Sequence, residues 1–147
     1  MKFFFQAVAA AVMLLASGTD AELYRLSEKF GEPHGTSFSD AGFAIAGQTT
    51  GRERTNLFHG GSGGYPKTLG LNSGERFLCL EAHSGKYHGR TRIRYIKITT
   101  SSGRSIDGGT PTTKIGKVCA PDGFQLGGFA GSSGDELDQV GAVWVMN

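Results

Sequence analysis

The stretch Gly128–Val145, GFAGSSGDELDQVGAVWV, decides how this chain is read. Its second half, Val140–Val145, is apolar throughout, which fits a buried strand. Just before it, Gly134 and Asp138 frame a G-x-x-x-D loop. A glycine lets a ligand approach the backbone, because no Cβ blocks the way. A carboxylate four residues on can accept hydrogen bonds from two neighbouring hydroxyls, and charge-assisted bonds are the stronger kind. The N–H groups between them can donate to further oxygens. The pattern therefore suits a polyol. An ordinary acidic hairpin turn has the same residues, so the motif needs the rest of the chain.

Outward from that stretch, the 147 residues begin as a secretory precursor would. Lys2 is followed by an apolar run, Phe3–Ala16, and a small-residue stop at Ala21. The run is shorter than the ~20 residues of a spanning helix. We therefore expect residues 1–21 to be a cleaved signal, with Gly18 an alternative end point, and 22–147 to be one extracellular domain. The charge is nearly balanced, at +2, which gives no reason to invoke nucleic acid or an anionic membrane as partner. Cys79 and Cys119 leave two readings, a disulfide in an oxidising compartment or two buried thiols.

Helical spacing is confined to Glu22–Phe30. Elsewhere, short apolar or alternating runs stand between Gly/Ser/Thr/Asp clusters: 43–46, 68–71, 76–82, 93–100, 124–129 and 140–145. This predicts an all-β domain with tight turns. Gly-rich segments recur imperfectly, since the interval Gly60 to Gly108 nearly equals Gly85 to Gly134. The interval Gly35 to Gly60 is about half as long, so the first repeat is short.

These segments, in order, resemble the jacalin-related lectins, in particular a secreted single-domain branch. FGEPHGTSFSDAG (30–42), HGGSGGYPKTLGLNSGE (59–75), TRIRYIKITTSSGRSIDGGT (91–110) and QLGGFAGSSGDELDQVGAVW (125–144) carry the likeness. The resemblance implies a β-prism I fold, three Greek-key sheets about a pseudo-threefold axis, with no metal or other cofactor and no enzymatic activity. It implies a sugar site at Gly35, Gly134, Asp135, Glu136 and Asp138, with Asp138 as acceptor and Leu137 anchored inward. The loop His83-Ser84-Gly85-Lys86 would form a third wall. Gly35 lies within a continuous chain, which by the same likeness favours mannose- or glucose-type sugars on cell-surface or cell-wall glycans. Some members hold a second site, but here Thr55 stands where its aspartate would be, so none is expected. The short first repeat predicts an incomplete or rebuilt first sheet, and an uncovered edge that either lowers stability or pairs in a homodimer.

Other chemistries fit less well. Asp135, Glu136 and Asp138 crowd one loop, whereas glycosidases hold two carboxylates ~5–10 Å apart across a bond. His59, His83 and His88 lack metal-ligand spacing. The basic run Lys86, Arg90, Arg92, Arg94 supports a rival reading: an adhesive or matrix protein gripping anionic polysaccharide beside a degenerate sugar pocket. Salt separates the two, because charge-driven binding weakens with ionic strength.

Overall fold

The computed structural model describes residues 22–50, 59–61 and 63–147. The expected signal segment and the stretch around Thr55 lie outside them. Eight strands and one helix follow in the order β1 (Tyr24–Gly31), β2 (Thr36–Ser39), α1 (Ala41–Thr50), β3 (Phe77–Tyr87), β4 (Arg90–Thr100), β5 (Ser105–Gly109), β6 (Lys114–Cys119), β7 (Phe124–Ser133) and β8 (Leu137–Met146). They form two four-stranded antiparallel sheets, ordered β1-β8-β7-β2 and β5-β4-β3-β6. The second is a Greek key: β3, β4 and β5 run on as hairpins, and β6 returns beside β3. Each sheet is a long central hairpin flanked by two further strands, which is the physical content of the repeat.

The sheets meet through a shared core. Leu80 and Ala82 of β3 pack with Phe124, Val140, Ala142 and Trp144 of β7 and β8, with Phe30, Ile93, Ile96 and Ile98 around them. The opposite face of β8 carries Val143 and Val145, which pack with Ala130, Ala41 and Ala44. Strand β8 is thus covered on both sides, which explains its unbroken apolar run.

Three sequence expectations are corrected here. Residues 22–30, read as mildly helical, hold β1 instead. Hydrogen bonding to β8, in register Tyr24↔Val145 to Gly31↔Gln139, outweighs a weak local propensity. Residues 43–46, read as a strand, belong to α1. The Asp40 carbonyl accepts the Ala44 N–H at 2.9 Å, and the alanines of Ala41-Gly42-Phe43-Ala44 favour a helix once it is started. Residues 68–71 form no strand, and the Gly70 carbonyl accepts from Arg104 Nη2 at 2.6 Å instead of joining a ladder. Between β2 and β3 the described residues therefore contain a helix and irregular chain but no strand. The shortened first repeat takes this form.

Two polar ties brace the second sheet. Cys79 and Cys119 face each other across β3 and β6 and are joined as a disulfide, with Cα atoms 4.0 Å apart. Glu75, just before β3, grips the β4–β5 turn. Its carboxylate takes Arg104 Nη2 at 2.6 Å and Arg104 Nε at 3.0 Å, a bond from Ser102 Oγ, and the Asn72 N–H at 2.9 Å. Arg104 first, then Ser102 and Thr100, hold Glu75 far below the usual carboxylate range.

Two stability outcomes are expected. Replacing both cysteines by serine frees a 40-residue separation, and the chain-entropy relation gives a loss of about 3–4 kcal/mol, readable from urea unfolding. For Glu75, a depressed folded pKa means its stabilisation is complete above the unfolded value of 4.5. It is lost as pH falls from there towards the folded pKa. Glu75→Gln should therefore be less stable than the parent at neutral pH, and the gap should narrow on acidification. A constant gap down to pH about 3 would refute the assignment.

Candidate functional site

Asp138 owes its position to a bulge. Ser132 pairs with Gln139 but Ser133 pairs with Leu137, so Asp138 is the extra residue on β8. Bulges of this kind re-aim a side chain. Its carbonyl accepts the Glu32 N–H at 3.2 Å. Gly31, at φ +94°, lets the chain pass over that carbonyl where a Cβ would lie 2.2 Å from it. Preceding Leu137 is half-buried and packs on the core beside Val140 and Trp144.

Gly35 lies directly against this carboxylate. A Cβ built on it would sit 2.8 Å from Asp138 Oδ2 and 2.6 Å from the Ser133 carbonyl, and its φ is +72°. Only glycine fits, for both backbone and steric reasons. Gly134 opens the three-residue β7–β8 turn, and a Cβ there would meet nothing within 4 Å. Its N–H donates to the Glu136 carbonyl at 2.9 Å. The N–H groups of Asp135 and Glu136 have no backbone acceptor among the described residues. The structure thus gathers Gly35, Gly134, Asp135, Glu136 and Asp138 at one end of the first sheet.

The second sheet contributes an arginine. Arg92 Nη1 pairs with Asp138 Oδ1, and Arg92 Nε lies 3.2 Å from Glu136 Oε2. Asp138 is 1% exposed and the Arg92 side chain 17%. Neither Arg92 Nε nor Asp138 Oδ1 has an aligned hydrogen bond among the described residues, so these contacts are charge pairs rather than a well-aimed fork. Beside them opens a cavity of about 560 Å³ lined by Arg92, Ile93, Arg94, Gly61, Gly63, Gly109, Thr110 and residues 135–137. It opens on Arg92 and Glu136 rather than on Asp138.

The third wall differs from expectation. Residues His83-Ser84-Gly85-Lys86 are not a loop but part of β3, paired with β4 on one side and, at His83 and Ser84, with β6 on the other. His83 is buried. Its Nδ1 accepts the Thr112 N–H at 3.1 Å, which leaves its Nε2 to donate to Glu81 Oε1 at 3.0 Å. Ser84 is buried, and its carbonyl accepts Thr112 Oγ1 at 2.7 Å. A Cβ on Gly85 would meet Thr112 at 3.2 Å, so this glycine serves close packing, not a turn. The hairpin tip lies further on, at Tyr87-His88-Gly89-Arg90, with His88 at φ +46° and Gly89 at φ +78°. There the exposed Tyr87 ring meets His88 edge-on at 4.2 Å and carries the Arg94 guanidinium at 4.3 Å. The missed signal was His88-Gly89, a better turn pair than Ser84-Gly85.

The same strands correct the basic patch. Lys86 and Arg90 are exposed, but Arg92 turns inward and Arg94 covers Tyr87. The four do not form a uniform solvent-facing row. Glu32 lies beside this site, its N–H on the Asp138 carbonyl. Hydrogen bonds from Thr91 and then His34 hold its carboxyl below the ordinary range. His59 stacks on Phe38 at 3.6 Å and meets Asp40 Oδ1 at 2.7 Å, so it ties β2 to the Gly60-Gly61 segment.

The fold defines a class, the β-prism I folds of the jacalin-like lectins. Residues 40–143 match the Jacalin-like lectin domain, and the chain belongs to that family, a carbohydrate-binding family rather than an enzymatic one. Among solved structures, the Malaysian banana lectin is 26% identical, with a TM-score of 0.54 over 60% of this chain and 63% of that one. The superposition therefore spans less than two thirds of the banana protein. A mannose-binding jacalin-related lectin from Ananas comosus superposes over 84% of this chain and 99% of its own, at 13% identity and a TM-score of 0.64. In sequence, the secreted RxLR effector protein 19 of Plasmopara viticola is 26% identical over 98% of this chain and 94% of that protein. Among the described residues, no helix is long and apolar enough to cross a membrane.

The two motif glycines should separate in the laboratory. Gly35→Ala forces a Cβ into a positive-φ backbone and onto Asp138, and should lose at least ~1–2 kcal/mol of unfolding free energy. Gly134→Ala meets open space and should stay within about 1 kcal/mol of the parent. Equal urea midpoints for the two variants would contradict the packing described.

Proposed function

We propose that this protein is a secreted, metal-independent lectin that binds neutral sugars of mannose or glucose type. The observation that carries the reading is the seating of Asp138 Oδ2 against Gly35, within a chain of the Jacalin-like lectin family. A hexose in this cradle would donate hydroxyls to Asp138 and accept from the N–H groups of Gly35, Asp135 and Glu136, with open access over Gly134. Tyr87 and His88, rather than His83-Ser84-Gly85, would flank it, and an exposed aromatic ring is the usual platform for a sugar face. The mannose binding of the Ananas comosus lectin supports the sugar class. The signal-like residues 1–21 and the secreted relative from Plasmopara viticola support an extracellular location, where cell-surface or cell-wall glycans are the partners. The outer strands β1 and β6 expose Leu26 and Ile115, and such edges suit pairing between two copies. A dimer would raise avidity without new contacts.

A glycan array of the mature protein beside Asp138→Asn, at low and moderate salt and with EDTA, tests this. Binding of mannose or glucose glycans should survive salt and chelator and vanish in a variant shown to be folded. Binding restricted to anionic glycans, abolished by salt and unaffected by Asp138→Asn, would overturn the reading in favour of the exposed Lys86 and Arg90.

A further inference from the structure

The carboxylate on which carbohydrate recognition depends already has an occupant. Arg92 reaches across from β4, in the other sheet, and its Nη1 holds Asp138 Oδ1. The remaining oxygen, Oδ2, faces Gly35. With the Asp138 side chain only 1% exposed, a ligand hydroxyl reaches Oδ1 only if the guanidinium moves. Nothing in the ladder requires an arginine at 92, since its partner on β3 is Gly85, which offers no side chain to pair with. A second seat lies beside the first: Glu136 Oε2 is 3.2 Å from Arg92 Nε, and the Glu136 side chain is 38% exposed.

Resting on the lectin reading above, we propose that Arg92 is a specificity-determining residue, an internal ligand that a sugar must displace from Asp138 towards Glu136. In the unliganded protein the guanidinium neutralises a buried carboxylate that would otherwise stand alone. In the bound state Arg92 keeps Glu136, and Asp138 Oδ1 accepts hydroxyls with vicinal geometry. Apparent affinity is the intrinsic affinity multiplied by the fraction of molecules with Arg92 displaced. A simple neutral monosaccharide therefore binds below the capacity of the cradle.

The test compares Arg92→Ala and Arg92→Gln with the parent, using methyl α-mannoside in calorimetric titration and thermal unfolding. Both variants should unfold at lower temperature without sugar, because Asp138 has lost its counter-ion. Both should nevertheless bind the mannoside more tightly, on the order of tenfold. Adding Asp138→Asn to either should abolish the gain. A merely structural Arg92 would lower the unfolding temperature and leave affinity unchanged or reduced. Equal or weaker binding by either folded variant, with the parent still binding, would therefore overturn the inference and leave the lectin reading intact. Absence of binding by the folded parent and both folded variants would overturn the lectin reading and this inference together.

Discussion

Burial of β8 on both faces is the constraint on which the rest of this structure depends. Val140, Ala142 and Trp144 are turned towards the second sheet, while Val143 and Val145 are turned towards Ala41 and Ala44. A strand covered this way has no tolerance for a slipped register, because a shift of one residue exchanges the two sets of side chains. Its register with β7 is therefore fixed from Phe124↔Met146 upward, and the two bulges in that ladder fall at defined places. One of them is Asp138. Asp138 is the residue that a tightly specified ladder leaves over, so the placement of its carboxylate follows from packing.

This dependence also accounts for the helix. The first repeat is short, and the chain after β2 coils into α1, whose Ala41 and Ala44 approach Val143 and Val145. Small side chains suit that task, since they let the helix come close to the sheet. Asp40 joins the two elements. Its backbone N–H donates to Phe129 at 2.9 Å, its carbonyl accepts from Ala44, and its Oδ2 accepts the Phe129 N–H at 2.9 Å. Almost all of its surface is removed from water, yet both carboxylate oxygens are engaged, Oδ1 by His59. That satisfies the requirement that buried charge be hydrogen-bonded.

Much of this was legible in the sequence, and the exceptions share a cause. Strands β3, β4, β7 and β8 contain β-formers or long apolar runs whose pattern reports burial directly. The pairing of Gly134 with Asp138 is a local spacing that the sequence displays directly, whereas Gly35 joins them only by the family likeness. The failures concern segments whose state is set by a distant partner. Residues 24–31 become a strand because β8 needs a neighbour, and 43–46 become helical because the sheet behind them needs a cover. Gly85 looked like a turn because glycine in Ser-Gly-Lys usually is one. Its actual reason is Thr112, far along the chain, crossing over it. Arg92 read as one member of a basic row for the same reason, since no sequence pattern shows that Asp138 and Glu136 lie across from it.

The electrostatics of the site follow from bringing those two sheets together. An acidic turn left in water would be a weak organiser, because exposed charges are screened and hydrated. Once Arg92 closes over it, Asp138 lies in a low-dielectric setting where each remaining interaction is stronger and each unpaired group is costlier. The ion pair itself adds little net stability, because desolvation offsets much of the attraction. What it does fix is the direction of the carboxylate, with one oxygen on the guanidinium and the other against Gly35. Under the lectin reading proposed above, a site arranged this way is pre-shaped for a polyol but not vacant for one. Selectivity under that reading would depend less on how many hydroxyls a sugar can present than on whether those hydroxyls can replace a charge.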